Sequence, residues 1–163
     1  MDSPKLSQND KDLFAALLKP DMDDGTLYYS LREMTELLKR HYGKKTILLI
    51  DEYDVPLPKA NQRAYYEPMI RLIRSLFGTA LKTNENLYFA VLTGCLRVAK
   101  ESIFTGLNNF NVFSVTDVDF DEYFGFSDQE VRAMLDYYGL GDNYESVKEW
   151  YDGYRFGNTE IYC

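Results

Sequence analysis

Apolar side chains in the first half of the chain recur every three to four residues in three stretches, a spacing typical of amphipathic helices. Proline and glycine mark the ends of the first two, since Pro20 cannot continue a helix and Gly43 readily adopts the left-handed conformation of a helix C-cap. Pro56 and Pro58 instead predict a loop over residues 53–62. The three predicted helices cover residues 8–19, 27–42 and 68–81.

Three shorter apolar runs break the helical spacing and predict the strands of a parallel sheet. Residues 46–50 and 87–92 are too short for helices and too uniformly apolar for half-exposed strands, so we expect both to be buried. Residues 112–115 form a weaker run, and about twenty residues separate it from the second strand, which is enough for a crossover connection. Strands that alternate with helices indicate an α/β fold.

The last forty or so residues carry helix-capping and turn signals. Two capping boxes predict two helices, and Gly157-Asn158 predicts the turn of a β-hairpin because both residues tolerate positive φ angles. The capping pairs are Ser127 with Glu130 and Asp142 with Glu145. We therefore expect an α/β core over residues 1–122 and a small helical C-terminal segment over residues 123–163.

Composition excludes several classes of protein. The 163 residues suit one domain of common size, and their formal net charge of -8 would repel a phosphate backbone, so nucleic acid is not an expected partner. With two cysteines and one histidine, neither a disulfide framework nor a four-ligand zinc site can form. No apolar run reaches the length of a membrane span, and we expect a cytoplasmic protein.

The first predicted strand ends in two consecutive carboxylates, Asp51 and Glu52. Open α/β sheets bind ligands at the carboxyl ends of their strands, and four apolar residues followed by Asp-Glu match the Walker B pattern. In that role Asp51 would hold Mg²⁺ through water beside nucleotide phosphates, and Glu52 would orient or deprotonate the attacking water. The alternative is that the strand simply ends in acidic residues, which are common in this chain.

The second predicted strand reaches the same edge at Thr93, whose hydroxyl would touch the γ-phosphate or the attacking water. A strand-terminating turn at Thr93-Gly94 is the alternative. Arg97 and Lys100 follow and are the nearest cations for phosphate charge, although a solvated surface position is the more common use of such residues. The chain contains neither G-x-x-x-x-G-K-[ST] nor G-x-G-x-x-G, so it lacks the sequence of a phosphate-binding loop.

Three stretches of the chain carry a dense likeness to one family. They are ILLIDEYDVPL at 47–57, YFAVLTGCLRVAKESIFTGLNNF at 88–110 and YDGYRFGNTEIY at 151–162. Together they resemble the AAA-ATPase-like family of bacterial proteins over about residues 40 to 163. The resemblance implies a P-loop fold of the additional-strand type, with Asp51 and Glu52 as Walker B, Thr93 as the sensor residue, and ATP and Mg²⁺ as cofactors.

The resemblance also implies what surrounds this chain in the family. Members usually carry a Walker A loop upstream and often a PD-(D/E)XK nuclease-like domain downstream. Residues 1–40 would correspond to the segment between Walker A and Walker B, so we expect a partial P-loop NTPase core, with a parallel sheet and flanking helices. Such a core would keep the Mg²⁺ and water half of an ATP site and turn over no ATP alone. It would expose a sheet edge at residues 87–92. We expect either that the chain self-associates through this edge as a homo-oligomer or that the strand at 112–115 moves in and pairs with it directly.

Two other functions remain open from the sequence. The first is a non-enzymatic protein-interaction module derived from a P-loop ATPase, which the 14 tyrosines and ten phenylalanines would favour if they cluster on the surface. The second is a metal-dependent nuclease that uses Asp51, Glu52 and Asp54. The acidic composition and the absence of a clear lysine beside those carboxylates argue against the nuclease.

Overall fold

The chain divides into two units, residues 1–109 and residues 110–163. The structure is a computed structural model, and the residues that it describes are 3–95, 103–104, 106–107, 111–151 and 153–162. Within these ranges, no helix combines the length and the apolar character that crossing a membrane requires. Each unit has its own secondary structure.

Helices and two parallel strands alternate in the first unit, as an α/β fold requires. In chain order the elements are α1 (Gln8–Leu17), α2 (Asp24–Tyr42), β1 (Thr46–Ile50), α3 (Pro56–Gln62), α4 (Tyr66–Leu81) and β2 (Leu87–Leu92). The helices predicted over residues 8–19, 27–42 and 68–81 and both strands are confirmed. Gly43 is the left-handed C-cap of α2, with a φ of 71° and an N–H that donates to the Lys39 carbonyl.

The two strands lie side by side in parallel, with Ile47 opposite Phe89 and Ile50 opposite Leu92. Ile50 and Leu92 pack against an apolar core that α3 and α4 mainly supply. The buried members of that core are Leu57, Ile70, Ile73, Phe77 and Ile103. The helices of the described residues therefore cover one face of the sheet.

The opposite face of the sheet is open to solvent, which the sequence analysis did not predict. Exposed side chains alternate with less exposed ones along β1 and along β2 from Phe89 onward, and Leu49 is 72% exposed. The other exposed apolar members are Ile47, Phe89 and Val91. Uniform apolar character predicts burial on both faces, but no helix of the described residues packs on this side. The strands thus have the composition of buried strands and the exposure of half-covered ones.

Two further expectations for the chain path are wrong. Residues 56–62 form helix α3 instead of a loop, because Pro56 and Pro58 occupy its first turn, where backbone N–H groups have no intrahelical acceptor. Residues 112–115 form no strand. Ser114 instead closes a local turn in which its backbone N–H and hydroxyl donate to the Asp117 carboxylate. No strand of the described residues therefore pairs with the second edge of β2. Direct pairing of residues 112–115 with that edge is thus wrong, and self-association through it stays a prediction.

The second unit combines two helices with a small antiparallel sheet. In chain order the elements are β3 (Phe126–Ser127), α5 (Asp128–Tyr137), a 3-10 turn (Gly141–Asn143), α6 (Tyr144–Tyr151), β4 (Tyr154–Phe156) and β5 (Thr159–Tyr162). The predicted hairpin and the capping box of Ser127 with Glu130 are confirmed, and β5 lies between β3 and β4. Asp142 lies in the 3-10 turn, so α6 begins one residue later than the second capping pair predicts.

A polar network ties the ends of this small sheet to its helices. Asp128 accepts hydrogen bonds from the hydroxyls of Tyr144 and Tyr162 and from Nε of Arg132. These bonds, that of Tyr144 above all, lower the pKa of Asp128 to about 2. Burial, together with the bonds to Tyr144 and Asp128, raises the pKa of Tyr162. The carboxylate at the start of α5 is thus held ionised by contacts from α6 and β5.

The network makes the stability of the second unit depend on pH. Asp128 stays ionised in the folded state down to about pH 2, whereas in the unfolded chain it protonates near 3.8. Its contribution is therefore complete above about pH 5 and disappears as the pH falls toward 2. We expect D128N to lower the free energy of unfolding at pH 7 by about 1 kcal/mol, a modest value because the group is half exposed. Urea unfolding at several pH values, followed by fluorescence of Trp150, should show the wild-type and variant curves converging near pH 2. A difference that stays constant to pH 2 would contradict this.

A second prediction concerns the hairpin turn. Gly157 has a φ of 51°, and a Cβ there would lie 2.5 Å from the backbone oxygen of Asp117. Gly139 has a φ of 66°, but a Cβ there would meet no atom within 4 Å. Both alanine variants bear the strain of a left-handed backbone, and only G157A adds a steric clash. We expect G157A to destabilise the second unit by about 2 kcal/mol more than G139A in urea unfolding. Equal losses of unfolding free energy in the two variants would contradict this, because they would show that the turn shifts to make room for the Cβ at no cost.

Candidate functional site

The parallel ladder of β1 and β2 continues one step beyond the strand ends. The backbone N–H of Thr93 donates to the carbonyl of Ile50 at 2.9 Å, and the N–H of Tyr53 donates to the carbonyl of Thr93 at 3.0 Å. These bonds hold the two loops at the carboxyl edge of the sheet against each other. The residues that follow the two strands therefore meet there, as the strand-end argument predicted.

The hydroxyl of Thr93 links this residue to Asp51 and Glu52, the other two residues predicted at this edge. It donates to Oδ1 of Asp51 and accepts the backbone N–H of Glu52 at 3.1 Å. Glu52 has a φ of 50°, a left-handed conformation that is uncommon for a residue with a side chain. The hydrogen bond from its N–H helps to hold that conformation, so the Thr93 side chain, directly after β2, positions both the Asp51 carboxylate and the Glu52 backbone. The expected grouping of these residues is confirmed.

The grouped side chains are open to water. Asp51, Glu52 and Thr93 are all exposed, so the carboxylates keep their hydration. Within the described residues, Oδ2 of Asp51 has no hydrogen-bond partner in the protein. This set of hard oxygen donors fits a Mg²⁺ ion that keeps most of its water ligands. It does not fit a metal enclosed by protein, because no three His, Cys, Asp or Glu side chains of the described chain are grouped as ligands.

The third carboxylate of the DEYD stretch lies in a different environment. Asp54 is only 4% exposed, and its Oδ1 lies 2.9 Å from the position that a Cβ on Gly94 would occupy. The ring of Tyr53 would approach that same Cβ to 2.6 Å. Gly94 is therefore required by the close approach of the β1 loop. Asp54 belongs to the packing beneath the edge, and does not join Asp51 and Glu52 at the surface.

The remaining predicted residues can be placed only in part. Arg97, predicted to bind the cofactor phosphates, and Lys100 lie outside the described residues. The network around Asp128 in the second unit was not predicted from the sequence. The spacing of Asp128 and Arg132, four residues apart on one helix face, signals their ion pair. No local pattern signals Tyr144 and Tyr162, which reach Asp128 from other elements.

Comparisons with known proteins place the chain in a family. A family model described as a predicted AAA-ATPase matches residues 4–104. This match reaches further toward the N-terminus than the resemblance over about residues 40 to 163, and it ends before the second unit. The chain is also 29% identical over 121 residues to a protein of Azotobacter chroococcum mcd 1 named "Uncharacterized protein in vnfD 5'region".

The alignment with the Azotobacter protein covers 74% of this chain and 23% of that protein, so the chain spans about a quarter of the length of its relative. No solved structure matches the chain. The family model, in contrast, covers more than half of the residues, including the strand pair and the edge formed by Asp51, Glu52 and Thr93. On this basis, the chain belongs to the AAA-ATPase-like family.

Proposed function

We propose that the first unit is a partial P-loop ATPase core that supplies the Mg²⁺ and water half of an ATP site. This proposal rests on one observation. At the ends of adjacent parallel strands, the hydroxyl of Thr93 makes hydrogen bonds with both the Asp51 carboxylate and the Glu52 N–H. Membership of the AAA-ATPase-like family supports the same assignment. We assign Asp51 and Glu52 to Walker B and Thr93 to the sensor position.

In this proposal, Asp51 binds the hydrated Mg²⁺ of a nucleotide. Its Oδ1 accepts the bond from Thr93, which orients the carboxylate and leaves Oδ2 for a metal-bound water. The ion would neutralise charge on the phosphate oxygens. Because Asp51 directly follows the last residue of β1, its backbone is held by the sheet, as a preorganised ligand requires.

Glu52 has a separate role in the proposal. Its carboxylate is exposed beside Asp51 and acts as the general base or orienting group for the attacking water. The left-handed backbone of Glu52 costs about 1–2 kcal/mol, and the bond between its N–H and Thr93 offsets part of that cost. Thr93 would therefore act on hydrolysis through Asp51 and Glu52 as well as through its own contact with phosphate.

The phosphate half of the site has no counterpart in the sequence, which contains no Walker A motif. Stabilising the transferred phosphoryl group requires a cradle of backbone amides and a lysine in addition to the metal. We therefore propose that this chain does not hydrolyse ATP by itself, and that another segment or another protein would complete the site. The family assignment supports ATP as the nucleotide, and the substrate of any coupled reaction stays open.

The metal half of the proposal can be tested one residue at a time with Mn²⁺, a paramagnetic substitute for Mg²⁺. In nitrogen-15 NMR spectra of the full chain, low Mn²⁺ concentrations should broaden the amide signals of Asp51, Glu52 and Thr93. D51N should abolish this broadening, T93V should weaken it by about threefold or more, and T93S should retain it because serine keeps the hydroxyl.

The matched control for the Mn²⁺ experiment is D142N, which removes one exposed carboxylate from the 3-10 turn of the second unit. This variant should leave the broadening at Asp51 unchanged. Broadening that persists in D51N, or that is confined to the acidic second unit, would show that the strand edge is no metal site.

The catalytic half of the proposal predicts an absence of turnover. Purified chain with Mg²⁺ and ATP should release inorganic phosphate no faster than E52Q does, because the groups that bind the phosphates are missing. A coupled phosphate assay of both proteins at equal concentration gives the comparison. Steady hydrolysis by the wild type that disappears in E52Q would overturn the proposal of an incomplete site, while leaving Glu52 as its base.

A further inference from the structure

Three aromatic side chains of the second unit form a cluster on its surface. The ring centroids of Phe113 and Phe120 are 5.0 Å apart in an edge-to-face arrangement, and those of Phe120 and Tyr123 are 6.1 Å apart. The three side chains are 49%, 54% and 72% exposed, respectively. Exposed aromatic rings in mutual contact form the kind of apolar patch that marks an interaction site.

The hairpin fixes the loop that carries this cluster. The backbone N–H of Gly157 donates to the carbonyl of Val115 at 2.8 Å, and the N–H of Asn158 donates to the carboxylate of Asp121 at 3.0 Å. The loop also closes on itself, since the N–H of Ser114 donates to the Asp117 carboxylate. The rings are therefore held in place without being covered. A preformed surface loses less conformational entropy when a partner binds.

The charge around the cluster restricts its partner. Asp119 and Glu122 alternate with the aromatic residues along the loop, and both are exposed. Residues 110–163 contain 12 acidic and three basic side chains, a formal charge of -9. Such a surface repels the phosphates of nucleic acids and of anionic lipids, and it repels the same surface on a second copy. The complementary partner is cationic.

The second unit already shows how it holds a cation of this kind. The guanidinium carbon of Arg132 lies 3.5 Å from the centroid of the Tyr144 ring, while its Nε donates to Asp128 at 2.7 Å. An arginine is thus held between an aromatic face and a carboxylate. The exposed cluster presents the same two chemical groups, and among the described residues no cation is paired with Asp119 or Glu122.

We propose that this surface docks an arginine-rich segment of a partner protein. The aromatic–acidic surface consists of Phe113, Asp119, Phe120, Glu122 and Tyr123. Guanidinium groups would stack on its rings and pair with its carboxylates, as Arg132 does within the unit. This function is separate from the proposed ATP site, because none of the five residues belongs to the first unit. It specifies the residues and the class of partner for the interaction module that the aromatic composition suggests.

The test uses the full chain and three labelled peptides: six Arg-Gly repeats, six Lys-Gly repeats and six Glu-Gly repeats. Fluorescence anisotropy should show the arginine peptide binding most tightly, the lysine peptide more weakly and the glutamate peptide not at all, because lysine lacks a planar group that stacks. F120S should weaken binding of the arginine peptide by about fivefold, the effect of one lost stacking contact. D119N/E122Q should weaken it at least as much.

Two matched variants separate this surface from general electrostatic attraction. D142N/E145Q removes an equal number of negative charges, two, from the 3-10 turn and α6, and Y88S removes an exposed ring from the first unit. Both should leave the affinity for the arginine peptide within about twofold of the wild type. Equal weakening by D142N/E145Q and D119N/E122Q, or wild-type affinity in F120S, would overturn the proposal. Self-association in light scattering that F120S abolishes would also overturn it, by making a second copy the occupant.

Discussion

The register between β1 and β2 is the constraint on which the candidate site depends. Ile50 lies opposite Leu92, so the ladder brings Asp51 opposite Thr93 in the next step, where the hydroxyl and the carboxylate meet. A shift by one residue would move Gly94 opposite Asp51 and turn every side chain of one strand to the other face. The backbone hydrogen bonds between Thr93, Ile50 and Tyr53 prevent that shift, and they lie next to the side chains of the candidate site.

The apolar core beneath the sheet holds this edge in place. Tyr53, next to Glu52 in sequence, places its ring 5.3 Å from that of Phe104 and 6.4 Å from that of Phe77. Adjacent residues thus serve opposite purposes, since one anchors the loop in the core and the other presents a carboxylate to water. Removing the core contact would release the loop that carries Glu52. Stability and site geometry are therefore coupled through this loop.

Sequence patterns recovered what local rules determine and missed what depends on distant contacts. Apolar runs located both strands, and the strand-end rule grouped Asp51 with Thr93. The hydrogen bond from the Glu52 N–H to Thr93 and the left-handed backbone of Glu52 were not predictable, because both depend on the register of two strands about forty residues apart. Residues 112–115 illustrate the reverse case: their short apolar run resembles a strand, but the Asp117 carboxylate accepts the backbone N–H of Ser114 and closes a turn there.

The uneven distribution of charge gives the two units different electrostatic properties. Residues 1–109 contain 14 acidic and 15 basic side chains, whereas residues 110–163 carry a formal charge of -9. The negative net charge of the whole chain therefore comes entirely from its second unit. A ligand with phosphate groups at the end of β1 meets a unit that is nearly neutral, so the overall acidity does not oppose binding there. The same excess of carboxylates, placed around exposed aromatic rings in the other unit, favours a cationic partner. The net charge of the whole chain shows neither the near-neutral first unit nor the strongly acidic second unit. Both are evident only when the charge of each unit is counted separately.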